Sequence, residues 1–150
     1  MGVEIKLAET LTEHTPVLWK APYRSEDMKE LLTNGWRELL LASVSGEWKP
    51  RYLGVEQLIK HALALCSHRD AEEQYLVYCF WTPENGVASE EVVVHRGEAA
   101  ELLHRVGDTP PRLRMIEYSG LIEEWMDLPE PGWIPEHVNY LWQRYSFSLK

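Results

Sequence analysis

Cysteine is scarce in this chain. Its two cysteines among 150 residues, Cys66 and Cys79, form no CxxC and no Cys/His array of zinc-site spacing. Cys66 falls on the apolar side of a predicted helix and Cys79 in an apolar run, so both are expected as buried thiols rather than a redox pair. Basic residues are also few, 15 Lys and Arg against 24 Asp and Glu, for a net charge of −9. Phosphate backbones are bound by displacing counterions with Lys and Arg, so a chain this acidic needs a metal ion or a local basic groove to do so. No run of eighteen apolar residues occurs, and the opening MGVEIKLAET has no apolar core of signal-peptide type. Neither a membrane span nor a secretory signal is predicted, which leaves the cytoplasm as the expected compartment. There is no glycine-rich phosphate loop and no Ser/His/Asp order.

What the chain does have is core-forming material. Hydrophobic residues make up 45% of it, and seven Trp and seven Tyr supply large buried areas. No repeat and no long linker divides it, so residues 1–150 are expected to form one domain.

Residues 2–7, GVEIKL, alternate with Val3, Ile5 and Leu7 on one side and Glu4 and Lys6 on the other, the period of a strand. Residues 8–24 show no steady period. Ser25 is placed to cap a helix over 26–33, with Asn34-Gly35 as its stop. Residues 36–44 fit a helix or a strand. Residues 54–67 predict an amphipathic helix, with Val55, Leu58, Ile59, Ala62, Leu63, Leu65 and Cys66 on its apolar side. Gln57, Lys60, His61 and His68 are on its polar side, and Glu56 is spaced to pair with Lys60. QYLVYCFW, residues 74–81, predicts a central strand. Ser89 is expected to cap a helix ending near Val106. A strand over 112–118, a helix over 120–127 capped by Ser119, and a last helix to about Tyr145 complete the order. Trp125, Trp133 and Trp142 are expected in the core. Alternation of this kind predicts an α/β fold, a small mixed or parallel sheet flanked by helices.

Glu4 and Lys6 leave one face of the first strand about 7 Å apart. A carboxylate there can ligate Mg²⁺, and the lysine can position water or stabilise charge on a phosphate. The same spacing in Glu47-Trp48-Lys49 falls in a turn before Pro50 and carries no such expectation. The alternative reading of Glu4 and Lys6 is a solvated face of an edge strand. Glu101 and His104 have the spacing of carboxylate-bridged metal bundles, but a single copy does not make a site.

GVEIKLAET, RYLGVEQLIKHALAL and QYLVYCFWTP together resemble the PD-(D/E)xK nuclease-like superfamily, most of all a bacterial restriction-endonuclease-like branch. MIEYSGLIEEWMDL and PGWIPEHVNYLWQRY resemble its closing helices. The resemblance implies Mg²⁺-dependent hydrolysis of DNA phosphodiesters. It implies Glu4 as a metal ligand, Glu9 as a further acidic metal contact, Lys6 as the catalytic lysine and Gln57 as an auxiliary active-site residue. Lys60 and His61, on the same helix face, would touch phosphate.

The superfamily places an Asp-bearing strand before E-x-K, and here Met1 stands three residues before Glu4. The core is therefore expected to lack its first strands. Such a chain would be a shortened enzyme, would borrow a strand from a second copy along the edge near residues 2–7, or would be an inactive relative. The alternative function is a non-enzymatic homodimer or partner-binding domain.

Overall fold

In the computed structural model, residues 1–6, 11–15, 18–68, 73–86, 89–126 and 132–148 are described. Three strands, β1 (Gly2–Lys6), β2 (Tyr75–Phe80) and β3 (Arg112–Glu117), form a sheet in the order β1-β2-β3. Both pairings are parallel: Glu4 is in register with Tyr78, Lys6 with Phe80, and Tyr78 with Met115. Parallel neighbours need crossover connections, which the helices provide. These are α1 (Glu26–Leu31), preceded by a 3-10 turn at Ala21–Arg24, then α2 (Asn34–Ser45), α3 (Val55–Cys66) and α4 (Glu90–Val106). After β3 come α5 (Tyr118–Met126) and α6 (Trp133–Tyr145). The open parallel sheet flanked by helices is the expected α/β architecture.

The core lies between one face of the sheet and helices α2, α3 and α4. Trp36, Leu39 and Leu40 of α2, Leu58, Ile59 and Ala62 of α3, and Leu102 and Val106 of α4 pack with Leu76 and Tyr78 of β2 and Leu113 of β3. Each large aliphatic side chain buried here contributes roughly 1.5–3 kcal/mol. Both cysteines are buried free thiols, and burial raises their pKa values. No described helix is long and apolar enough to cross a membrane.

Ser25 caps α1, accepting from the Met28 backbone N–H, as expected. Three local expectations fail. Asn34-Gly35 does not stop a helix but opens α2, with Thr33 as its N-cap. Gly35 is needed there for space, since a Cβ would lie 2.2 Å from the Val106 carbonyl oxygen. The demand comes from helix packing and leaves no local sequence signal. Ser119 lies inside α5, which follows β3 directly from Tyr118. Trp133 is 64% exposed rather than in the core.

Candidate functional site

The alternation of β1 sends Glu4 and Lys6 to the face that α3 covers. Gly2 shares this face and lies against Leu65 of α3. Val3 and Ile5 point the other way and are 50% and 56% exposed. One oxygen of Glu4 is 2.9 Å from Nζ of Lys6, and the other is 2.7 Å from Nε2 of His61 on α3. The expected pair thus leaves the strand together, with His61 brought onto it by the polar flank of α3.

Lys6, the last residue of β1, opens into a cleft of about 320 Å³. Gln57, Gly54, Tyr52, His14 and Tyr78 line it with Lys6. In open α/β sheets, ligands bind beyond the carboxyl ends of the strands, and this cleft lies at that end of β1. The loop before α3 is held in place by α4. The Glu98 carboxylate accepts from the backbone N–H groups of Arg51, Tyr52 and Leu53, the last two at 3.0 Å. Gly54 then makes a tight turn, with the Val55 N–H donating to the Leu53 carbonyl at 2.8 Å.

Residues 1–146 match the protein family described as Restriction Endonuclease associating with ARP. The chain belongs to this family. No curated protein and no solved structure matches it.

Within this restriction-endonuclease-associated chain, the structure brings Lys6 and Gln57 into one cleft and His61 onto Glu4. Lys60 sits elsewhere. Its ammonium lies 5.6 Å from the ring centroids of both Trp19 and Tyr23, a cation–π arrangement. Glu9 lies outside the described residues. The anticipated Glu56–Lys60 pair gives way to a different contact. Glu56 turns inward, its side chain 7% exposed, and binds Nε2 of His14 at 2.8 Å.

The sequence reading missed His14, Glu56, Tyr78 and His95. His14 falls in a stretch without periodicity, and Glu56 looked like a surface acid beside Lys60. The Tyr78 hydroxyl is hydrogen-bonded to Nε2 of His95 at 2.8 Å in the core. Burial, with a contribution from Arg96, pushes the His95 imidazole down to about 4, so it is neutral at pH 7. The only signal for this pair was the placement of Tyr78 on a predicted central strand.

A second cleft, of about 290 Å³, lies beyond β2 and β3. It holds the Arg96–Glu117 ion pair at 2.7 Å, with Trp142 and Tyr145 from α6 on its wall.

Mg²⁺ takes a near-octahedral shell of oxygen ligands. Among the described residues, no three His, Cys, Asp or Glu side chains are grouped to hold a metal ion. Both oxygens of Glu4 are engaged by Lys6 and His61. The described donor set therefore does not fit Mg²⁺.

Proposed function

We propose that the cleft at the end of β1 is a DNA phosphodiester site of PD-(D/E)xK type, with Glu4 and Lys6 as the pair on its catalytic strand. The observation that carries this reading is the sharing of one cleft by Lys6 and Gln57, in a chain of the restriction-endonuclease-associated family. Lys6 supplies the positive charge that a phosphate oxygen needs, and Gln57 supplies an amide that donates and accepts. Dependence on Mg²⁺ is part of the proposal only with further oxygen ligands, of which Glu9 is the candidate.

Incubating the full chain with duplex and single-stranded DNA, with and without Mg²⁺ or Mn²⁺, tests the reading. The expected result is cleavage that Lys6→Ala removes. Calorimetric Mg²⁺ uptake that is lost in Glu9→Gln would support the metal assignment. An absence of cleavage under every condition overturns the hydrolase reading.

A second reading, a non-enzymatic homodimer, is favoured by the two exposed apolar side chains Val3 and Ile5 on edge strand β1. It expects a dimer in light scattering that the double substitution Val3→Lys, Ile5→Lys converts to monomer. A wild-type monomer at all concentrations counts against it.

A further inference from the structure

His14, on the wall of the Lys6–Gln57 cleft, forms a carboxylate–imidazole pair with Glu56 behind it. His14 is held once through its backbone and once through its ring. Its backbone N–H donates to the Arg51 carbonyl at 2.5 Å, and Arg51 begins the segment pinned by Glu98. Its Nε2 meets Oε2 of the buried Glu56 at 2.8 Å. A carboxylate only accepts, so Nε2 carries the hydrogen and the neutral ring keeps its lone pair on Nδ1. A buried acid holding one ring nitrogen in this way sets both tautomer and orientation, which is how imidazole bases are prepared for proton transfer.

His14, Gly54 and Gln57 line the same cleft. A Cβ added at Gly54 would sit 3.6 Å from Cε1 and 3.7 Å from Nδ1 of His14, and 3.4 Å from Oε1 of Gln57. The backbone there, φ −74° and ψ 65°, is open to ordinary residues. What the missing side chain leaves is a gap about the size of one methyl group or one water beside Nδ1 and the Gln57 amide, on the wall of the cleft.

We propose that His14, oriented by Glu56, accepts the proton of a water that attacks a phosphodiester held in this cleft. The inference rests on the phosphodiester reading above. The water oxygen forms a bond to phosphorus and its proton passes to Nδ1 of His14. The bond from phosphorus to the bridging oxygen breaks, and its electron pair leaves with that oxygen, which takes a proton from solvent. His14 returns its proton to solvent. The products are a phosphomonoester and an alcohol. Glu56 is a positioning residue, acting through the imidazole.

The test follows hydrolysis of plasmid DNA and of bis(p-nitrophenyl) phosphate by the full chain. His14→Gly is expected to lower kcat by about 100-fold, within the usual range for a general base, with KM little changed. Added imidazole restores roughly tenfold or more of that loss. Gly54→Ala, which folds normally because its methyl group meets only ordinary contacts, also lowers kcat. Nitrogen-15 NMR shows the Nε2–H form of His14 in the wild type and a mixture of tautomers in Glu56→Gln. If Lys6→Ala is inactive while His14→Gly is fully active, or imidazole restores nothing, the dyad is overturned and the phosphodiester reading stands. If the wild type hydrolyses neither substrate, both fall.

Discussion

Glu4 and His61 lie 57 residues apart in the chain, yet the carboxylate of one binds the imidazole of the other at 2.7 Å. The contact ties the edge strand to α3 on the face where Lys6 enters the cleft. His61 is exposed, so the pair adds little to stability. A double-mutant cycle with Glu4→Gln and His61→Ala, followed by urea unfolding, is expected to give a coupling of about 0.5 kcal/mol. A coupling above roughly 2 kcal/mol would show the pair to be better shielded from water than its exposure indicates.

His95 makes stability depend on pH. Its folded pKa of about 4 lies below the unfolded value of about 6.5. The unfolded chain therefore binds an extra proton between those values. The contribution is fully present above about pH 6.5 and is lost as pH falls towards 4, by roughly 3 kcal/mol in all. Urea unfolding from pH 4 to 7 should show this slope, and His95→Gln should flatten it. An unchanged slope in the variant would assign the loss to other groups.

Tyr78→Phe removes the hydroxyl and leaves Nε2 of His95 without that partner in the core. A destabilisation of about 1–3 kcal/mol is expected by chemical denaturation. A neutral result would mean that water or a shifted side chain replaces the hydroxyl.

Two glycines give opposite outcomes. Gly35→Ala drives a methyl group into the Val106 carbonyl and should cost about 3 kcal/mol or more. Gly97 lies within α4 with nothing within 4 Å of an added Cβ, so Gly97→Ala should stabilise by roughly 0.5–1 kcal/mol. Thermal melts of the two variants, moving in opposite directions from the wild type, would check both.

Glu98→Ala deprives three consecutive backbone N–H groups of their acceptor. Hydrogen exchange at Arg51, Tyr52 and Leu53 should quicken by at least tenfold, while exchange in β2 changes only with global stability. Equal acceleration in both places would mean that the whole chain has been loosened and not the cleft wall alone.

The elements with strong periodicity were legible. The apolar positions of α3 and the continuous apolar run of β2 gave type and bounds to within a residue or two, because burial on a helix or a covered sheet leaves a regular mark. Glu4 and Lys6 were legible for the same reason, since alternation alone places them on one face. Asn34-Gly35 misled because it looks like a turn, whereas the glycine is set by the approach of α4. Glu56 misled because its partner is a histidine 42 residues away in an irregular stretch, out of reach of any local rule. Lys60 shares its helix with Gln57 and His61, as the pattern indicated, but its neighbours Trp19 and Tyr23, from the irregular segment before α1, left no local signal.

The pairing of β1 with β2 has a consequence for how the molecule assembles. β1 is synthesised long before the residues of β2 against which it docks, and as an edge strand it has no second partner in the described sheet. Closing such a distant contact is slow compared with forming α2 or α3 from local interactions. The strand that carries Glu4 and Lys6 therefore waits for a partner strand whose residues, such as Tyr78 opposite Glu4, come much later in the chain.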